Sequence, residues 1–255
     1  MRRRLTKEKR LQCAQEVQPI VERFISEFNI KQPITDSFKT IENDVGCFIV
    51  TKKISNEISG FQYKIGEQQF IFVNNNHDLG RQIQSLWHEV YHLYTDDGEG
   101  ISEIDSWNYD LSECRADQFA SQILMNRELV KNYIKENKII NKRKNYFTKR
   151  DVIQMHTYFN VSFNNMCYTL NELYDGFNGS YFQMGKIEKR DELLKITEDF
   201  NFNTKISMVP KENYVSPNLF LYLKENMNEG KISYKRVKDI LEYIGIELGI
   251  DDEQS

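Results

Sequence analysis

Histidine is scarce in this chain, with four in 255 residues. Nowhere do about 18 apolar residues run together, so no membrane-spanning helix is expected. Basic residues are not in excess either. The net charge of −4 gives no global reason to expect nucleic acid or an anionic membrane as partner. The four cysteines (Cys13, Cys47, Cys114 and Cys167) are scattered, with no CxxC pair. That spacing speaks against a cysteine-type zinc site or a disulfide framework and suits free thiols in a reducing compartment. The basic start "MRRR" has no apolar stretch behind it in "LTKEKRLQCAQEVQP", so it does not read as a signal peptide and a cytoplasmic protein is expected. What remains is the composition of a folded soluble domain, 40% hydrophobic and 13% aromatic, on a chain long enough to bury a full core.

Apolar positions at helical spacing run through residues 5–28, with Pro19 predicting a kink or a split. Residues 45–74 change character. "VGCFIVTKKI", "ISGFQYKIG" and "QQFIFVNNN" are β-rich runs separated by turn candidates, and they predict a three-stranded antiparallel meander. Helical patterns follow over 79–94, 111–126 and 128–140, with a loop at 101–110. Thr148 and Asp151 give a capping-box start to a helix carrying Val152, Met155, His156 and Phe159 and continuing past Asn160 to Leu170. Residues 180–212 are ambiguous. Ser216 as N-cap, Pro217 at the first position and Gly230 past the end bracket a further helix, and Ser233 opens a last one.

The stretch "SLWHEVYHLY" places two of the four histidines, His88 and His92, one helical turn apart on one face, with Glu89 on its flank. That is the H-E-x-x-H layout of a zinc-hydrolase helix. With 4 His and 23 Glu, chance supplies such a motif in roughly one chain in 180 of this composition. Zinc needs a third protein ligand and one position left for water. Histidine is nearly exhausted, since only His156 lies downstream and His77 upstream. A carboxylate is the natural alternative. Glu113 and Asp117, four apart on the next helix, offer one ligand and one acceptor for the free ring N–H of a ligating histidine. The bland reading of that pair is a solvated acidic face. Ala116, Phe119 and Ala120 beside it argue instead for tight packing. For an oxyanion donor, His156 and Tyr109 are candidates. His156 sits on the apolar face with Val152 and Phe159, which suits a core histidine, and Tyr109 is one of 14 tyrosines, so the donor stays open.

"HEVYH", then "ECRADQFASQILMN" about 20 residues on, resembles the ImmA/IrrE-like zinc metallopeptidase family, a gluzincin-like design in which HExxH is followed by E-x-x-x-D. Glu113, Ala116, Phe119, Ala120, Leu124 and Met125 fall on its second motif, and the weaker matches "HTYFNVSFNNMCYTL" and "NEGKISYKRVKDIL" agree. The resemblance implies His88, His92 and Glu113 as ligands of Zn2+ and Glu89 as general base. It also implies an α+β fold: a mainly helical metallopeptidase domain with a small antiparallel sheet over 1–176, then a small helical C-terminal region over 177–255. Members of the family often cleave a helix-turn-helix repressor. About 40 residues precede the first strand here, too few for a DNA-binding module of the chain's own. The expected partner is therefore a separate protein, a repressor or antitoxin-like regulator.

Two other classes stay open on the residues alone. One is a zinc-containing regulatory or binding protein with little peptidase activity, whose C-terminal helices carry Lys231, Lys235, Arg236 and Lys238 on one side; a solvated face is the simpler reading of that side. The other is a non-peptide hydrolase on the same helix.

Overall fold

The computed structural model describes residues 6–54, 58–96, 107–140 and 144–246, without the side chains of 65 and 107–110. Helix α1 (Lys7–Glu27) buries Cys13, Val17, Val21 and Phe24 along one face. It runs through Pro19 as one helix. Pro19 and Gln15 are both exposed, so the carbonyl that the missing N–H leaves without a helical partner faces water. A short helix α2 (Ser37–Thr40) and a π-turn (Ile41–Val45) lead into the sheet.

The sheet contains β1 (Phe48–Lys52), β2 (Gly60–Ile65) and β3 (Gln68–Asn74) in the order β1-β3-β2. The three strands lie where the sequence puts them, but the sheet is mixed and not an antiparallel meander. β2 and β3 pair antiparallel, while β1 pairs parallel to β3. The cause lies in the segment between β1 and β2, which is long enough to straddle a strand end. The buried Asn74, at the end of β3, holds that segment in place: its side chain donates to the Ile58 carbonyl at 2.9 Å and accepts from the Ile54 N–H at 3.3 Å. "QQFIFVN" is thus the central strand.

The outer edge of β1 is covered from the C-terminal region. Thr51 N–H donates to Tyr214 O at 2.7 Å and Ser216 N–H to Ile49 O at 2.9 Å. Ser216 sits at the N-cap position as expected, but its hydroxyl caps nothing. It accepts instead from Ile49 N–H at 2.7 Å. The buried Glu42 serves that helix start, accepting from Asn218 N–H at 3.2 Å. β2 keeps an unpaired outer edge among the described residues.

Helix α3 (Leu79–Thr95) starts on Asp78, which accepts from Arg81 N–H at 2.9 Å, and ends on Asp96 in the left-handed region. It packs on one face of the sheet, against Ile49, Ile71 and Val73, with Leu86, Trp87 and Val90 fully buried. Helix α4 (Trp107–Leu124) packs across α3 and α1, and begins before the expected residue 111. It stops because Asn126 caps α5 (Arg127–Glu136), accepting from Glu128 N–H at 2.9 Å. The Thr148–Asp151 capping box forms as predicted. The helix after it is two helices, α6 (Lys149–Tyr158) and α7 (Phe163–Leu173). Asn160 turns left-handed (φ 52°), and Ser162 caps α7 anew. The ambiguous segment 180–212 holds three 3-10 turns and α8 (Arg190–Asp199), which add Met184, Leu193 and Ile206 to the main core. Helices α9 (Pro217–Asn228) and α10 (Tyr234–Tyr243) cover the other sheet face, where Leu219, Leu223, Val237 and Leu241 meet Val50, Phe48, Phe70 and Phe72. The chain is therefore mainly helical α+β.

Candidate metal centre

Helix α3 shows the sheet its apolar face and shows a cleft its other side. Residues seven apart return to one face of a helix, so Arg81 and His88 share a line, as do Ser85 and His92. All four border a cleft of about 1330 Å³. β2 forms one wall, α4 the next, and the start of α7 with residues 185–190 another. Gly80 makes the junction with α7 possible, because a Cβ there would meet Ser162 N at 2.6 Å.

At the cleft floor three side chains converge. His88 Nε2 and His92 Nε2 are 3.2 Å apart, and the two oxygens of Glu113 lie 3.5 Å from the first and 3.6 Å from the second. Ligand bonds of about 2.0–2.2 Å at tetrahedral angles put ligand atoms about 3.3–3.6 Å apart. The His88–His92 separation, and the distance from each histidine to the Glu113 oxygen nearest it, are all close to that spacing. The donor set, two imidazoles and one carboxylate, also fits a zinc site with an open position. Among the described residues, His88, His92 and Glu113 form the one group whose ligand atoms are mutually close enough to hold a metal ion.

Asp117 is where the helix spacing puts it, with Oδ1 2.9 Å from His88 Nδ1. A proton on Nδ1, shared with that carboxylate, leaves the Nε2 lone pair facing Glu113 and His92. Burial pulls the His88 pKa down, but the hydrogen bonds to Asp117 and Glu113 outweigh it and hold the pKa well above the usual value. Burial opposes ionisation of Glu113, and its bonds to His88 and His92 win, holding the carboxyl well below the usual range. The pocket thus draws in positive charge even when protons supply it.

Glu89 is buried, and burial raises its pKa, with the two histidines pulling the other way. Its neighbour across the cleft is Gly60 on β2, a residue the sequence reading passed over. A Cβ at Gly60 would lie 3.3 Å from Glu89 Oε1 and 2.9 Å from the Phe72 carbonyl. The readable signal was a glycine inside a β-run, which marks a close backbone approach.

A second set of contacts missed by sequence reading ties the floor together. Asn165 Nδ2 donates to Gln84 Oε1 at 2.5 Å, and Gln84 Nε2 donates to the Asp117 carbonyl at 3.2 Å, joining α7, α3 and α4.

The two oxyanion candidates are not brought to this floor by anything described. His156 is fully buried in the core, off the cleft, with Nδ1 3.1 Å from the Val161 carbonyl and its ring edge-on to Phe163. Burial lowers its pKa to about 4. Tyr109 falls in the first turn of α4 instead of a loop, and its side chain lies outside the described residues. His77 is buried away from the triad, and its pKa is pushed down to about 4 by burial and by Arg81 and Arg190. Of the expected loop 101–110, residues 101–106 lie outside the described residues.

A family model, Peptidase_M78, described as the IrrE N-terminal-like domain, matches residues 42–171, just over half of the chain and all of the cluster above. No curated protein and no solved structure gives a significant match.

Proposed function

The chain belongs to the IrrE N-terminal-like peptidase family, and on that footing we propose that it is a cytoplasmic zinc-dependent endopeptidase that cleaves a specific intracellular protein, a helix-turn-helix repressor or antitoxin-like regulator. The observation that carries the reading is the convergence of His88, His92 and Glu113 beside a buried Glu89. A divalent ion held by those three residues supplies Lewis acidity, acidifying a water and polarising a carbonyl. Glu89 takes the proton of the attacking water at a carboxylate oxygen and passes it to the leaving amine. Asp117 holds the His88 ring through Nδ1. An extended substrate segment adds to an open sheet edge. Among the described residues β2 is the open edge, and its Gly60 faces Glu89.

The repressor-like substrate follows from the resemblance of "HEVYH" and "ECRADQFASQILMN". No helix among the described residues is long and apolar enough to cross a membrane, and the net charge of −4 offers nucleic acid no general attraction. On the basic side of α9–α10, Lys231 pairs with Glu229 at 2.6 Å and Lys238 with Glu242 at 3.8 Å, as a solvated face would.

The test is to incubate the zinc-loaded protein with the repressor-like product of a neighbouring reading frame and look for a single cut. Glu89→Gln should keep zinc and lose cleavage by about 10²–10⁴-fold. A Glu89→Gln protein that cuts as well as the unaltered chain would remove the mechanism. One whose biological effect is intact would instead favour a zinc-containing regulatory protein.

A further inference from the structure

The antiparallel register fixes which groups of β2 face outward. Asn74 N–H donates to Ser59 O at 2.9 Å, so Ser59 and Asn74 form a hydrogen-bonded pair. Such pairs recur every second residue. Phe61 opposite Phe72 and Tyr63 opposite Phe70 are the next two. Their backbone groups are therefore engaged by β3, and those of Gly60, Gln62 and Lys64 point to the open edge. Side chains alternate as well. Gly60 and Gln62 are on the α3 face with Val73 and Ile71, and both border the cleft. The side chains of Phe61 and Tyr63 stand on the opposite face, with Phe61 also touching the rim of the cleft.

That opposite face is an incomplete core. α9 and α10 cover Phe48 of β1 and Phe70 and Phe72 of β3. They stop short of β2, leaving Phe61 45% and Tyr63 59% exposed. Phe61 lies flat on Phe72 (centroids 4.7 Å apart, planes 11° apart), and Phe48 stacks on Phe70 at 5.1 Å. The result is a fixed aromatic shelf that ends at the open edge, within one residue of Gly60 and the cleft.

We propose that this shelf selects the substrate: the extended segment that adds to β2 carries bulky apolar side chains at two positions two residues apart, which seat on Phe61 and Tyr63. The proposal rests on the peptidase reading and deepens it by naming a recognition element. A strand added to β2 puts its residues opposite Phe61 and Tyr63 on the shelf side, with Cβ atoms about 4.5–5.5 Å from theirs. The residues between them face Glu89 and the metal cluster. Recognition is thereby separated from chemistry by the pleat of one strand. An apolar pair spaced two apart also suits a β-forming segment better than a helix face. A folded repressor would therefore have to present such a segment unfolded from any helix.

The experiment uses the full-length Glu89→Gln protein loaded with zinc, so that binding is read without turnover. It is panned against a library of random octapeptides. Aromatic and large aliphatic residues at positions i and i+2 should be enriched by roughly fivefold per position. A Phe61→Thr/Tyr63→Thr double variant should lose that enrichment. A separate Gln62→Pro variant removes an edge N–H that β3 does not use, so it should keep the fold and lose peptide binding altogether. No enrichment at i and i+2, or the same enrichment in the double variant, overturns the proposal. The enriched peptides are then given to the unaltered zinc-loaded protein. If they bind in the predicted pattern and are never cut, the peptidase reading falls while the recognition shelf stands.

Discussion

Asp117→Asn is the most informative single substitution, because it changes one charge and almost no volume. In the native chain the Asp117 carboxylate sits 2.9 Å from His88 Nδ1, where it can accept the ring N–H and so favour the tautomer with Nε2 free. An asparagine in the same place either accepts the same N–H more weakly or turns its amide to donate. In the second case the ring proton moves to Nε2 and blocks the lone pair aimed at the metal. Loss of such a partner typically costs 10- to 100-fold in metal affinity. The Asp117 side chain is 59% exposed, so solvent screens the pair and the lower end applies: about tenfold, or about 1.4 kcal/mol. The assay is a zinc titration in competition with a chromophoric chelator at pH 7.5. The control is Asp96→Asn, which removes the same charge from the same cleft at a carboxylate whose ion pair among the described residues is with Lys64 at 3.8 Å. It should change affinity by less than about twofold. Wild-type affinity in Asp117→Asn would refute the orienting role. Equal losses in both variants would reduce the effect to the general field of the cleft.

Gly60→Ala should be poorly tolerated, since its Cβ would lie 2.9 Å from the Phe72 carbonyl and 3.3 Å from Glu89 Oε1. About 1–3 kcal/mol of stability should be lost, read as a lower urea midpoint, and turnover should fall with zinc affinity kept. Stability should also decline in acid through His156. Its folded pKa is depressed to about 4 from the usual 6.5, so the unfolded chain takes up the proton first. The contribution is fully present above pH 6.5 and is lost as pH falls towards 4, by roughly 3 kcal/mol, and a His156→Gln variant should show a correspondingly flatter pH dependence of its urea midpoint. Zinc affinity should fall with pH as well, because His88 holds a proton that the ion must displace; isothermal titration in buffers of different ionisation enthalpy should show proton release.

The parts of this protein that were legible in its sequence are those set by helical periodicity. His88, Glu89 and His92 on one helix, and Glu113 and Asp117 on the next, follow from spacings of one turn, and the structure brings those helices together face to face. The capping box at Thr148 and the bracket of Pro217 and Gly230 are local chemistry, and both were readable. The sheet order was not. Alternation within a strand is the same whether its neighbour runs parallel or antiparallel, and the deciding group is one buried amide, Asn74, bonded to a loop 16 to 20 residues away. The break at Asn160 turns on one left-handed residue inside an apolar pattern that otherwise continues. Ser216 has the neighbours of a helix cap, but a β1 N–H 167 positions away has its hydroxyl. Gly60 acts through what its missing side chain lets approach, and a single sequence shows that only as a glycine in a strand.

The central claim is that two imidazoles and one carboxylate from α3 and α4 share a divalent ion. Zinc K-edge X-ray absorption on the loaded protein tests it most directly. The account predicts nitrogen and oxygen neighbours at about 2.0–2.2 Å, outer-shell scattering from two imidazole rings that drops to one in His92→Ala, and no sulfur. A sulfur neighbour at about 2.3 Å, or a spectrum unchanged by His92→Ala, would place the ion elsewhere and contradict it.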